Sequence, residues 1–304
     1  MRTPPPTPKS PLNNPAAVPI AASVSVRREG MRAILKAMSA ATTLVEALHP
    51  LRADPARAAI LLDIDGTLAP IVRHADDASV PEPTRTQLIA VAKRYAVVGC
   101  ISGRRSATAR QMVSLGTMAY VGNHGVELLA PGGTEVQIDP EIAAYERTVR
   151  EFAEAAYTTG LQRLRVRMED KQAIKAFHWR GAPDEDAAEQ AVREIAERAQ
   201  ADGLAIHWGR KVLEVRPPVE INKGRGVRRL LADRDLAAGL YVGDDMTDLD
   251  AFAGLRALVE EGLLGAAVCV GVRSDETPQQ LEEQADLLVD GPLGVRGLLM
   301  ALAS

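Results

Sequence analysis

The sequence predicts an α/β fold: a Rossmann-like three-layer core, in which a parallel sheet carries helices on both faces, with an α+β unit inserted into it. Three observations carry this reading. Short apolar runs alternate with helical segments near both ends of the chain. The middle instead repeats helix–strand–strand twice, the pattern of strands joined by short turns. Both acidic clusters of the chain follow directly on apolar runs.

Taken in order, the elements begin with a tail. Seven of the first 19 residues are proline (Pro4, Pro5, Pro6, Pro8, Pro11, Pro15 and Pro19), so residues 1–30 read as a disordered Pro-rich segment. An N-terminal helix is expected over 31–55, its apolar residues recurring at three- and four-residue spacing from Met31 to Leu48. AAILLDID (58–65) is a buried strand, PEPTRTQLIAVAKRY (81–95) a helix opened by prolines, and AVVGCIS (96–102) a second strand. RRSATARQMVSL (104–115) continues as a helix and MAYVGN (118–123) as a third strand. The middle reads as one helix over 140–157, strands RLRVRMED and QAIKAFHW, a helix over 184–200, and strands LAIHWG and RKVLEVRP. KGRGVRRLLADRD, GLYVGD, DLDAFAGLRALVEE and AAVCVGV then resume the strand–helix alternation. The expected division is a core of 56–138 and 218–304 around an inserted unit of 139–217.

Composition narrows the function. With 36 Lys plus Arg against 40 Asp plus Glu, the net charge of −4 excludes a generally basic nucleic-acid binder. Only 3% of residues are aromatic, against a base-stacking surface, and no apolar run is long enough to span a membrane. The N-terminus lacks the pattern of a secretory signal, so a cytoplasmic location is expected. Cys100 and Cys269 sit singly in apolar runs and offer neither a disulfide framework nor a thiolate metal site. The five histidines are scattered, which argues against zinc, and neither a Walker A nor a G-x-G-x-x-G sequence is present.

The chemistry concentrates in four places. Asp63-Ile64-Asp65-Gly66-Thr67-Leu68 closes the strand AAILL, and two carboxylates two residues apart there point to one side of a strand end. Such crowded acids call for a cation, here Mg²⁺. Gly243-Asp244-Asp245-Met246-Thr247-Asp248 closes GLYV and opens a helix; viewed alone, it also reads as a helix cap. Ser102-Gly103-Arg104 offers a hydroxyl and backbone N–H groups at a helix start, and Lys223-Gly224 a point positive charge. Alone, these two read also as a cap and a solvated lysine. Together the four fit phosphoryl transfer from a carboxylate nucleophile.

DIDGTL, SGR, Lys223 and GDDMTD stand in the order of the four motifs of the haloacid dehalogenase superfamily, which the chain resembles. About 40 residues separate the first two motifs and about 120 the next two, and in that superfamily the long gap implies a cap domain. The likeness is sharper to the trehalose-6-phosphate phosphatases, through Gly122-Asn123-His124-Gly125-Val126-Glu127, Glu169 to Lys171 with His178-Trp179-Arg180, and Gly209-Arg210-Lys211-Val212-Leu213-Glu214. It covers roughly residues 56–300.

The resemblance implies hydrolysis of trehalose 6-phosphate to trehalose and phosphate, the last step of trehalose biosynthesis. Asp63 would be the nucleophile and Asp65 the acid and base, with Ser102 and Lys223 on the phosphoryl oxygens and Gly66, Thr67, Gly103, Arg104, Asn123 and His124 around the phosphate. Mg²⁺ would lie on Asp63, the carbonyl of Asp65, and Asp244, with Asp245 and Asp248 as further ligands or supports. Lys171, His178, Arg180, Lys211 and Glu214 would face the sugar. Strand alternation separates Lys211 from Glu214, so Lys211 is expected in the turn before its strand. A monomer acting on a small molecule, without nucleic acid or membrane, is the expected form. Two alternatives stand beside it: another capped sugar phosphatase, for sucrose or mannosylglycerate phosphates, and a non-catalytic regulatory module that kept the fold.

Overall fold

The computed structural model describes residues 44–72 and 77–304. The expected tail and most of the expected N-terminal helix lie outside the described residues, which begin in helix α1, residues 44–53. No helix among the described residues is long and apolar enough to cross a membrane.

The first half of the core follows the alternation. β1 (Ala58–Leu62), α2 (Glu82–Arg94), β2 (Val97–Ile101), α3 (Ser106–Val113) and β3 (Ala119–Gly122) form in turn, and every residue of the three strands is buried. Strands covered on both faces read as unbroken apolar runs, and these do. Next comes a hairpin that the sequence reading did not include, β4 (Glu127–Leu129) and β5 (Val136–Ile138), paired antiparallel to β3 and to each other. The sheet is therefore mixed. A three-residue strand is too short for a period-2 pattern to show.

The second sheet is built from the middle of the chain. The single helix expected over 140–157 is instead α4 (Pro140–Ala143) and α5 (Glu146–Ala156), because the Tyr145 N–H bonds Ile142 O, three residues back, and breaks the α-helical register. α6 (Thr159–Arg163) takes the start of the segment read as a strand, which begins only at β6 (Arg167–Lys171). β7 (Ile174–His178), α7 (Glu185–Ala201), β8 (Ala205–Gly209) and β9 (Val212–Arg216) complete an antiparallel sheet of order β6-β7-β9-β8. Phe177, Leu213 and Val215 meet Val149, Phe152, Val192 and Ile195 of the helices in one buried cluster. Alternation sends Lys171, His178, Glu214 and Arg216 to the other, uncovered face.

The chain then returns through α8 (Lys223–Leu231), β10 (Ala238–Gly243), α9 (Asp248–Glu260), β11 (Ala267–Arg273), α10 (Gln279–Gln284), β12 (Leu287–Asp290) and α11 (Gly291–Ala303). The large sheet has the order β12-β11-β10-β1-β2-β3-β4-β5, parallel from β12 to β3. From β1 the chain moves outward to β2 on one side and later fills the other side with β10. Ligands of open α/β sheets bind at the carboxyl ends of strands where the order reverses in this way. Both acidic clusters leave from this point.

Candidate active site

Register brings the clusters together. Leu62 pairs with Val242, and the Asp63 N–H donates to Val242 O at 2.8 Å, so Asp63 and Asp244 leave adjacent strands side by side. Gly66, at φ +79°, turns the chain back toward them; a Cβ there would lie 2.0 Å from Asp244 Oδ2, so only glycine fits. The Thr67 hydroxyl donates to Asp244 Oδ1 at 3.0 Å.

Asp63, Asp244 and Asp248 are all buried, and each offers an oxygen within 4.8 Å of the other two. Burial pushes the Asp63 carboxyl up, with Lys223 pulling it back. Burial, then the charge of Asp248, pushes Asp244 up to about 7. Crowded buried carboxylates relax when a cation shares their charge, and an all-oxygen set suits a hard ion such as Mg²⁺. The donor set fits a divalent metal.

The Asp248 carboxylate has other duties as well. Its Oδ2 accepts the N–H groups of Asp244 (2.8 Å) and Asp245 (2.9 Å), while Oδ1 accepts from the Tyr241 hydroxyl and Lys223 Nζ, both at 2.7 Å. Asp245 is half exposed, and its Oδ1 caps the turn, accepting from Thr247 N (2.8 Å) and Thr247 Oγ1 (2.7 Å). Lys223 Nζ lies 3.1 Å from Asp63 Oδ1 and is fully enclosed. Burial would strip its proton, but Asp63, Asp248 and Asp245 hold it as an ammonium.

Asp65 stands apart from the acidic trio. Arg104 donates to both its oxygens, Nε to Oδ2 and Nη2 to Oδ1, each at 2.7 Å. Ser102 is buried, and its Oγ accepts the Arg104 N–H at 3.2 Å. Beside them Gly103 lies under the His124 ring, where a Cβ would meet Nε2 at 2.6 Å. Burial, then Lys223 and Arg216, holds the His124 imidazole down at about 4, so the ring is neutral at pH 7. His124 thus feels charges from both sheets, Lys223 and Asp245 of one, Arg216 and Glu214 of the other.

On the second sheet Lys171 Nζ donates to Glu214 Oε1 at 2.9 Å, and Arg216 Nε to Glu214 Oε2 at 2.9 Å. Burial pushes the Glu214 carboxyl up, but Arg216 and Lys171 outweigh it and hold it at about 2. His178 Nε2 lies 2.8 Å from Glu169 Oε2. Two expected sugar contacts lie elsewhere. Lys211 sits in the turn, at φ +61°, before β9 begins, but its ammonium binds Glu185 at the start of α7. Arg180 Nη2 donates to Arg210 O at 3.2 Å, beyond the far end of β7. Both are removed from the Lys171–Glu214 pair.

Three further residues organise the site without having drawn notice in the sequence. Glu127 is fully buried and accepts from Ser106 N, Ser106 Oγ and Asn123 Nδ2, each at 2.8 Å, tying the loop after β2 to the loop after β3. Its signal was a lone acid inside the apolar run VELL. Tyr241 holds Asp248 from below, and Arg216 neutralises Glu214; neither is separable by spacing from core or surface residues. The cleft at the mouth, about 440 Å³, is lined by Asp65, Asp244 and Asp245 with Ile71, Met246, Ser274, Glu276 and Pro278.

Comparison with known proteins is then informative. A profile of the trehalose-phosphatase family matches residues 61–285. The chain belongs to that family. It is 34% identical over 240 residues to the trehalose-phosphate phosphatase of Mycobacterium marinum, covering 75% of this chain and 60% of that protein. It is 32% identical over 225 residues to a probable trehalose-phosphate phosphatase of Oryza sativa subsp. japonica, covering 66% and 59%. An uncharacterized glycosyl hydrolase of Mycobacterium tuberculosis matches at 32% over 209 residues, 66% of this chain but 15% of that protein. The chain thus spans about 60% of the length of the two phosphatases and a small part of the hydrolase. The C-terminal domain of trehalose-6-phosphate phosphatase from Candida albicans shares the fold, with a TM-score of 0.62, 22% identity, and coverage of 86% of this chain and 96% of that one.

Proposed function

We propose that the chain hydrolyses trehalose 6-phosphate to trehalose and phosphate, with the phosphoryl group held transiently on Asp63. The buried Asp63–Lys223 pair, 3.1 Å apart at the strand-order reversal, carries this reading. A carboxylate there is close to a fixed ammonium that meets the oxygens of an incoming phosphate. Asp63 attacks phosphorus and the bond to the sugar oxygen breaks, while Asp65 gives that oxygen its proton. Asp65 then takes a proton from water, which attacks the phosphorus and frees Asp63. Lys223 and the Ser102 hydroxyl hold the phosphoryl oxygens throughout. Asp63, Asp244 and the Asp65 carbonyl would hold Mg²⁺, with Asp248 and Asp245 as further ligands or supports; when bound, the ion supplies positive charge to the phosphoryl oxygens.

Family membership supports the choice of trehalose. In this reading residues 139–217 are the cap over the core of 56–138 and 218–304, and Lys171, Glu214 and His178 meet the sugar from its uncovered sheet face. The enzyme acts as a monomer in the cytoplasm; two free, buried cysteines are consistent with a reducing compartment. The deciding experiment is phosphate release from a panel of trehalose, sucrose, mannosylglycerate and glucose phosphates, with and without Mg²⁺. Preference for trehalose 6-phosphate by at least tenfold is expected. Preference for another sugar phosphate replaces the substrate, and no turnover of any leaves a regulatory module.

A further inference from the structure

A second concavity, about 730 Å³, lies in the unit of residues 139–217, lined by Tyr157, Gln162, Arg165, Arg167, Arg180 and Gly181 among others. No acidic residue lines it, and none of its lining residues lines the catalytic cleft. Three guanidinium groups therefore share one hollow. Among the described residues Arg165 and Arg167 make no ion pair or side-chain hydrogen bond.

The backbone points the same way. α6 ends in a Schellman motif: the Arg165 N–H donates to Gln162 O at 3.0 Å and the Val166 N–H to Leu161 O at 3.0 Å. The position between those bonds must be left-handed and is usually glycine, which bears it without strain. Here it is Arg165, at φ +60°. A long cationic side chain at a position that favours glycine is a cost to the fold, and such costs gather where a side chain has work to do. Arginine is also the residue whose planar fork matches a phosphate oxygen pair.

We propose that this hollow is a binding site for a phosphate-bearing small molecule, with Arg165, Arg167 and Arg180 as its anion receptors, separate from the catalytic centre. Its volume suits a phosphorylated sugar as well as free phosphate.

The test is calorimetric titration of the full chain with inorganic phosphate, glucose 6-phosphate and glucose. EDTA is present, so that the metal-free acids of the catalytic cleft repel the anions. Arg165→Gly and Arg167→Ala are titrated beside the native chain. Phosphate and glucose 6-phosphate are expected to bind and glucose is not, with affinity falling at least tenfold in both variants. Arg165→Gly should also raise Tm by about 1–3 °C, because glycine relieves the left-handed backbone. Equal affinity for the two anions identifies free phosphate as the ligand, and tighter binding of the ester identifies a sugar phosphate. Binding unchanged in both variants, no binding of either anion, or a lower Tm in Arg165→Gly overturns the proposal.

Discussion

Arg104 holds both carboxylate oxygens of Asp65, each at 2.7 Å, and so turns that acid away from Asp63, Asp244 and Asp248. Two charge-assisted bonds of about 1.5–3 kcal/mol each fix the orientation of the proposed proton donor. Arg104→Gln should lower kcat on trehalose 6-phosphate by about 10²-fold. Arg104→Lys, which keeps the charge but loses the fork, should fall between. Steady-state kinetics check this: a raised KM with kcat unchanged would mean that Arg104 serves ground-state phosphate binding alone.

Asp63→Asn keeps the size of the side chain and removes the attacking charge. A barrier higher by about 5 kcal/mol slows turnover by roughly 10⁴-fold. The melting temperature without metal should hold or rise, since one of three crowded buried acids becomes neutral. Turnover above a few per cent of the native rate would falsify an ester on this residue.

Chelation with EDTA should abolish phosphate release and added Mg²⁺ should restore it, with Ca²⁺ a poor substitute because it is larger and takes more ligands. Mg²⁺ should also raise Tm, as any ligand of the folded state does. Full activity after dialysis against EDTA rules the ion out.

Glu214→Ala removes a carboxylate held by Lys171 and Arg216 on the uncovered face of the second sheet. It should lower kcat/KM for trehalose 6-phosphate by about 10- to 10³-fold, the loss of one or two charged bonds. Hydrolysis of a small aryl phosphate, which does not reach this sheet, should change little. Equal losses on both substrates would assign Glu214 to the fold.

His124 provides a pH signature. Its folded value of about 4 lies below the ordinary 6.5, so on acidification the unfolded chain takes up this proton first. Stability therefore falls as pH drops from about 6.5 toward 4 and levels off below, an effect of about 2 kcal/mol between pH 7.5 and 5. His124→Asn, which tolerates the left-handed backbone at φ +56°, should flatten that slope. Urea midpoints at the two pH values measure it.

How much of this was legible in the sequence depends on range. The central strands were, because burial on both faces leaves an apolar run such as AAILL, and Asp-x-Asp-Gly after such a run announces its own turn. The β4–β5 hairpin was not, since three residues carry no period. The Tyr145 break and the late start of β6 rest on single hydrogen bonds that no side-chain pattern reports. In the site, neighbours in sequence were found, but partners across it were not: Glu127 to Ser106, Tyr241 to Asp248, and the separation of Arg180 and Lys211 from Glu214 all follow from tertiary register.

Arg225 gives the two sheets their mechanical relation. It donates to both oxygens of Asp139, at 2.9 and 2.8 Å, and to Glu141 at 2.7 Å. Asp139 is where the chain leaves the large sheet, and Arg225 lies in the first turn of the helix that brings it back. The outgoing and returning chains are thus stapled side by side, and the smaller sheet is hung like a door from a single pin. A swing about that pin moves the residues near it, Lys171 and Ile174, only slightly. The far edge, with Arg180, travels the widest arc.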